Sequence, residues 1–407
     1  MKIVDIAEFY SAAGGGVRTY VEAKLAAAAR QGHEMVVIAP GREHRTEHRP
    51  GGGRIEWVPA WPQPADRNYR LFFDFKHVHA LLDAERPDVV EASSPWTSTV
   101  ILAAWRGRAA RVLVYHSDPV STYIQRWFEG ILSARTVDRL CHHYWVHLRA
   151  IERRFDGVVV AGETMRARLL ERGLASPTVV PFGVDTSAFS PRLRDPALRE
   201  ELLARCGVAP EAPLLLGVGR LVPEKRWEAT MRAAHAVGAG MVLVGAGFGE
   251  PKLRRLADRL GGITLTGPIA DRGLLARIYA SADALIHGCE TETFGLAAAE
   301  AMASGLPLVV PAGGGTMELA HPDFAELWRA GDWRDGADAV RRVLARPRAP
   351  MAQAAVEAAA RLGTPDEHFR RLFALYAELA ARRRSAGEIG IAPEAPPLLG
   401  EGAPHPA

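Results

Sequence analysis

Two glutamates, Glu292 and Glu300, frame the segment Glu-Thr-Phe-Gly-Leu-Ala-Ala-Ala-Glu. From Phe294 onward the composition is that of a helix start, and helical rise places the two carboxylates about 12 Å apart. That is roughly the span from a hexose to the ribose of a nucleoside diphosphate sugar. In such a placement Glu300 accepts hydrogen bonds from ribose hydroxyls and Glu292 holds sugar hydroxyls. The helix amino terminus between them, with its unpaired N–H groups and dipole, faces a diphosphate. Two arbitrary glutamates flanking a helix are ordinarily surface groups. Here Ala297, Ala298, Ala299, Ala301 and Ala303, followed by Gly305-Leu-Pro, read as a closely buried helix, a turn and a strand. An acid on such a helix needs a partner.

Three further groups have chemistry-bearing types. Arg220 and Lys225 follow a strand candidate and sit in a loop. A permanent guanidinium and a mobile ammonium suit a developing pyrophosphate charge, against the alternative of a solvated basic loop. Gly14-Gly15-Gly16-Val-Arg18 lies between the first strand candidate and an Ala-rich helix. There glycine lets backbone N–H groups approach a phosphate, or simply makes a flexible turn. His116-Ser-Asp118 ends another strand candidate, at a carboxyl edge. Asp118 has helix capping as its structural alternative, and His116 has packing.

Other chemistries find less support. Gly245-x-Gly247-x-Gly249 lacks the dinucleotide spacing, since the third glycine would fall at Glu250. No Gly-x4-Gly-Lys-Ser/Thr loop occurs. The histidines, including His142 and His143, show no ligand set, so no metal and no other cofactor is expected. Cys141, Cys206 and Cys289 are scattered, which suits a reducing compartment and no disulfide framework. A net charge of +3 over 407 residues argues against a nucleic-acid partner. No apolar leader and no run of about 18 apolar residues is present, so a cytoplasmic location is expected.

The elements that must position these residues follow from an alternation of short apolar runs with Ala/Arg/Leu-rich helical stretches. Strands are expected at 3–6, 35–38, 55–58, 89–92, 112–115, 158–160 and 178–180, then at 214–218, 241–244, 263–265, 284–286 and 308–310. This is an α/β pattern of repeated βαβ units. Residues 189–196, with two prolines, interrupt it. The expected domains are therefore 1–190 on the acceptor side and 191–365 for the donor, each Rossmann-like and doubly wound. A helix at 366–384 and a disordered tail at 385–407 complete the chain. Sheets of this kind bind ligands at the carboxyl ends of their strands, so two of them facing each other make a deep interdomain cleft.

The pattern Glu292-x-Phe-Gly-x4-Glu300-Ala-Met-Ala-x-Gly305-x-Pro307 resembles glycosyltransferase family 4, the retaining GT-B enzymes. Val180-Pro-x-Gly183-Val-Asp185-x3-Phe189, Gly219-Arg220-Leu-x-Pro-Glu-Lys225, Val244-Gly-x-Gly247, Gly267, Tyr279-Ala-x-Ala-Asp283 and Gly313-Gly314 appear in the family's order. The resemblance implies a GT-B fold whose last helix returns to the N-terminal domain. It also implies metal-independent hexosyl transfer, mannosyl or glucosyl, from a nucleoside diphosphate sugar with retention. By the same likeness Glu292, Arg220, Lys225 and His116 serve catalysis. Gly14, Gly15, Gly16, Asp118, Gly219, Gly247, Gly267, Thr293, Phe294, Gly295, Leu296 and Glu300 touch the donor. Two departures stand out. His287-Gly288-Cys289-Glu290 replaces the usual Pro-Ser, and Ala320-His-Pro-Asp-Phe-Ala-Glu replaces a Gly-rich stretch.

For the acceptor, the chain interleaves Arg126, Arg135, Arg139, Arg149, Arg153 and Arg154 with Trp127, Phe128, Tyr144 and Trp145. Either this surface touches anionic lipid, pointing to a glycolipid or lipid-linked saccharide at the inner membrane face, or the aromatics pack in the core. Two rival functions share the architecture: a sugar-nucleotide epimerase, and a non-catalytic nucleotide-sugar-binding protein. Glycoside hydrolysis lacks a carboxylate pair at the roughly 5–10 Å it uses.

Overall fold

The computed structural model describes residues 1–11, 16–63, 69–175 and 177–388. Two compact units result among the described residues: those within 1–160, 166–180 and 369–388 form one, and 161–165 with 181–368 form the other. Gly14, Gly15 and the tail beyond 388 lie outside the described residues.

In the first unit the strands are β1 (Lys2–Ile6), β2 (Glu34–Gly41), β3 (Arg45–His48), β4 (Arg54–Pro59), a ribbon of β5 (Trp61–Pro62) and β6 (Arg70–Leu71), then β7 (Val89–Ala92), β8 (Ala110–Val114), β9 (Gly157–Val160) and β10 (Pro177–Val179). Leaving out the ribbon, they join as one sheet in the order β10-β9-β8-β7-β1-β2-β4-β3. Every pairing is parallel except that of the edge strand β3. Strands such as Val89–Ala92 and Ala110–Val114 are buried at every position, so largely apolar runs, broken only by Glu91 and Arg111, rather than an alternation, mark a sheet covered on both faces.

The second unit carries β11 (Leu214–Val218), β12 (Gly240–Val244), β13 (Ile263–Gly267), β14 (Ala284–Ile286), β15 (Leu308–Pro311) and β16 (Ala325–Trp328). They lie parallel in the order β13-β12-β11-β14-β15-β16. Chain order reverses between β11 and β14, which pair Leu215 with Ala284 and Leu216 with Leu285. The loops leaving these two strands therefore emerge side by side at the switch point, the place where such sheets hold ligands.

All twelve expected strands are present within a few residues of their sequence bounds. Four others are additional: β3 is polar and exposed, β5 and β6 are two residues each, and β16 is a partly exposed edge. The division between units falls at Pro181, ahead of residues 189–196. The prolines there begin helices instead of a linker. Pro191 opens a 3-10 turn, and Pro196 opens the helix Pro196–Cys206 behind the cap of Asp195. The final helix runs Pro365–Glu388, so residues 385–388 are helical and not part of a tail. From Phe369 it belongs to the first unit, burying Phe369, Leu372, Phe373, Tyr376 and Leu379.

That helix meets a buried charge cluster. Lys24 is fully enclosed and pairs with Glu91 and, at 3.3 Å, with Asp5. The Tyr376 hydroxyl donates to Glu91, and the Ser93 hydroxyl donates to Glu91 at 3.0 Å and also to Asp5. Burial and the neighbouring Glu91 push Asp5 up to about 6, while Lys24 pulls the other way. Lys24→Met would strand two buried carboxylates, so we expect a loss of about 3–5 kcal/mol in urea unfolding at pH 8. Part of that penalty disappears by pH 5, because protonation neutralises the stranded acids and the folded state binds more protons than the unfolded chain. An unchanged midpoint would show that the cluster does not hold the first unit together.

Candidate functional site

The loop after β11 is built around Trp227, which is almost fully buried. Its indole N–H donates to the Arg220 carbonyl at 2.7 Å, and its ring lies beside Gly219, whose φ of +155° is a glycine conformation. A 3-10 turn, Pro223–Lys225, and the left-handed Arg226 (φ 51°) then hand the chain to the helix Trp227–Ala236. Behind this loop runs Gly245–Gly249, so close that a Cβ on Gly245 would stand 1.9 Å from the Gly219 carbonyl oxygen. One on Gly247 would stand 2.5 Å from that of Leu221. These glycines permit backbone-to-backbone packing, which explains their presence without any dinucleotide fingerprint. Gly267 ends β13 with φ +76° and open space around it.

The loop after β14 contains the acidic motif. Glu292 pairs with the Lys225 ammonium, joining the two loops, and Arg226 pairs with Glu290. His287 accepts the Cys289 backbone N–H on Nδ1 at 3.2 Å, which leaves its ring proton on Nε2. That nitrogen stands 3.4 Å from the Glu292 carboxylate. Burial opposes the charge of Glu292, but the Lys225 ammonium and the His287 contact outweigh it and hold the carboxyl well below its ordinary range. Burial likewise keeps His287 below its usual value, so it acts as a neutral donor. His287 was legible only as a departure from the family pattern, and its contact with Glu292 is a finding of the structure.

The helix of the motif spans Leu296–Ala303, two residues later than its composition suggests, because Gly295 (φ 94°) is a left-handed cap. A Cβ there would meet Thr316 at 2.5 Å, and one on Gly315 would meet the Thr293 carbonyl carbon at 2.5 Å. Gly315 donates its N–H to the Glu292 carbonyl at 2.6 Å. The Gly313–Gly315 stretch thus backs the acidic loop closely. Phe294 is buried against Phe182, with ring centroids 5.3 Å apart. Thr293 and Leu296 are partly covered.

In the second turn of this helix Glu300 accepts the Tyr279 hydroxyl at 3.0 Å. Burial pushes its carboxyl up to about 7, against the pull of Tyr279 and Arg272. Tyr279 is fully buried and packs edge-on to Phe189, so the orienting hydroxyl has a fixed position. Arg220 pairs with Glu224 at 3.0 Å and keeps its guanidinium partly exposed. The second unit thus brings Gly219, Arg220, Lys225, Glu292, Thr293, Phe294 and Gly295 onto two adjoining loops, with Leu296 opening the helix that follows and Glu300 in its second turn.

In the first unit His116 sits just beyond β8 against Tyr20, at 4.9 Å between rings. Burial pushes its imidazole down to about 4, so it is neutral at pH 7. Asp118 is fully buried, caps the following turn by accepting the Val120 N–H at 2.9 Å, and pairs with Arg168. Gly16 begins the helix Gly16–Arg30.

The fold is that of the GT-B class, and the family matches and relatives that follow make the chain a nucleotide-sugar glycosyltransferase. Residues 14–188 match the family model "Glycosyltransferase Family 4", and residues 212–346 match "Glycosyl transferases group 1". A GDP-mannose-dependent alpha-(1-6)-phosphatidylinositol dimannoside mannosyltransferase of Mycobacterium tuberculosis is 32% identical over 85% of this chain and 88% of its own. A GDP-mannose-dependent alpha-mannosyltransferase of the same species is 29% identical over 79% and 82%. Among solved structures, sucrose-phosphate synthase from Thermosynechococcus elongatus superposes with TM-score 0.75 at 20% identity, covering 94% of this chain and all of that one. Anabaena HepE in complex with UDP-glucose superposes with TM-score 0.70 at 20% identity over 93% and 100%. The chain belongs to glycosyltransferase family 4.

Because Lys225 neutralises a largely enclosed carboxylate, Lys225→Met should cost about 3 kcal/mol in urea unfolding. The double variant Lys225→Met/Glu292→Gln should regain at least half of that. Additive losses would mean that the two side chains are not coupled.

Proposed function

We propose that this chain transfers a mannosyl group from GDP-mannose to a hydroxyl of a glycolipid, retaining the anomeric configuration and needing no metal ion. The observation that carries the donor reading is a pair of anchored acids, Glu292 in the loop ahead of the helix Leu296–Ala303 and Glu300 in its second turn. One is kept ionised by Lys225 and His287, and the other is poised near neutrality beside Tyr279. The choice of mannose and of a lipid acceptor is supported by the mycobacterial relative.

In this reading Glu300 accepts hydrogen bonds from ribose hydroxyls and Glu292 from sugar hydroxyls. Lys225, paired with Glu292 in the unliganded chain, gains a second anion when a diphosphate arrives, and Arg220 supplies a second cation. The bond from C1 to the diphosphate oxygen breaks, and its electron pair leaves on the diphosphate. The acceptor oxygen bonds to C1 on the same face, and its proton passes to the departing phosphate oxygen. Cationic side chains and the helix dipole stabilise the charge that accumulates, the part a divalent ion plays elsewhere.

Incubation with GDP-mannose and phosphatidylinositol mannosides in chelator should form a new α-mannoside, read by mass and by proton NMR of the anomeric centre. UDP-glucose should be turned over at least tenfold more slowly. Free mannose alone, an epimerised sugar nucleotide, or loss of activity in chelator would contradict the reading. Glu300 also sets a pH dependence. Ribose hydroxyls favour the ionised carboxylate, so donor affinity is expected to weaken as pH falls below about 7, by at most about tenfold per unit. Glu300→Gln should bind weakly and flatten that profile, and an unaltered profile would remove Glu300 from the donor site.

A further inference from the structure

The basic–aromatic stretch of the first unit divides cleanly by burial. Trp145 is buried, with the guanidinium groups of Arg168 and Arg172 lying 5.6 and 5.7 Å from its ring, and the Tyr144 hydroxyl stands 3.2 Å from that of Tyr115. Those aromatics belong to the core. The preceding segment does the reverse. A π-helical turn, Val120–Ile124, continues as the short helix Gln125–Trp127, reverses, and enters the helix Ala134–Leu140. Inward positions Val120, Thr122 and Val137 are covered. Trp127, Phe128, Ile131 and Leu140 are 69%, 40%, 76% and 67% exposed. Four large apolar groups within one short surface segment mark a partner surface.

Its charge identifies the partner. Of the two acids in the segment, Asp138 is buried and paired with Arg168 and Arg172, and Glu129 is paired with Arg126. Arg135 and Arg139 are exposed and make no ion pair among the described residues. A tryptophan and aliphatic tips flanked by unneutralised arginines fit the interface of an anionic bilayer, where apolar groups enter the acyl boundary and guanidinium groups meet lipid phosphates. Among the described residues, no helix is long and apolar enough to cross a membrane, so any hold on the bilayer must come from surface contact.

We propose that residues 126–140 dock the chain on an anionic membrane, with Trp127, Phe128 and Ile131 entering the headgroup layer and Arg135 and Arg139 binding lipid phosphate. The choice of a lipid surface over a protein rests on the glycolipid acceptor proposed above, and it supplies the place where that acceptor is met.

The test is sedimentation of the full chain with vesicles of phosphatidylglycerol and phosphatidylcholine, with neither nucleotide nor acceptor present. Wild type should bind these vesicles and bind pure phosphatidylcholine weakly. Arg135→Ser/Arg139→Ser should weaken binding roughly 25-fold, about fivefold for each arginine. Trp127→Ser/Ile131→Ser should abolish it. Both variants should keep the wild-type melting temperature and its rise with GDP-mannose, which separates lost docking from lost folding. Absence of vesicle binding, or binding that neither variant alters, would overturn the proposal. So would a wild-type dimer in velocity sedimentation that Trp127→Ser/Ile131→Ser dissociates, since the patch would then face a second copy. Vesicle binding without any effect of GDP-mannose would sink the donor reading and leave the docking surface standing.

Discussion

The ion pair between Lys225 and Glu292 is the constraint on which the second unit's site depends. It joins the loops that leave β11 and β14, the two strands on either side of the reversal in strand order. Each loop alone is an irregular segment with little to fix its path. Tied together, and held from behind by Trp227, His287 and Gly313–Gly315, they present a lysine and a carboxylate ahead of the same helix amino terminus. The pair also sets the protonation state, since the ammonium keeps Glu292 ionised in surroundings that would otherwise neutralise it.

Small residues make that arrangement possible. The backbone of Gly245–Gly249 lies against that of Gly219–Leu221, and Gly315 lies against Thr293, at separations that no Cβ would tolerate. The alanines of Leu296–Ala303 let its buried face sit close to its neighbours, with Ala298, Ala299 and Ala301 fully covered. In its second turn Glu300 and the neighbouring Tyr279 form a hydrogen-bonded unit. The first unit uses a different device, a buried lysine between two acids, to which its last helix adds Tyr376.

Much of this was legible in the sequence, for identifiable reasons. Parallel strands buried on both faces are largely apolar runs, so all twelve principal ones could be read directly despite the charges at Asp5, Glu56, Glu91 and Arg111. The acids of the motif stood out because the helix between them is too apolar to carry an unpartnered charge. What escaped was set by tertiary contact. Nothing local in Arg45–His48 marks a strand, because its pairing with β4 comes from a sheet edge. Prolines 191 and 196 read as a linker, although proline is equally at home in a first helical turn. The roles of His287 and Tyr279 depend on contacts with Glu292 and Glu300, 5 and 21 residues away, and no periodicity reports such contacts. The alternation of arginines and aromatics did not say which aromatics face outward. Burial separates Trp127 and Phe128 from Tyr144 and Trp145.

On the proposed reading the amino terminus of one short helix lies between a sugar-holding acid, Glu292, and a ribose-holding acid, Glu300. Calorimetric titration of GDP-mannose and of GDP into wild type, Glu292→Gln and Glu300→Ala tests it most directly. Glu292→Gln should remove the affinity difference between GDP-mannose and GDP while leaving GDP itself little changed. Glu300→Ala should weaken both ligands by the same factor, about tenfold or more for a lost charged hydrogen bond. If instead Glu292→Gln weakens GDP as much as GDP-mannose, or Glu300→Ala affects only the sugar-bearing ligand, the two acids do not divide the donor between them.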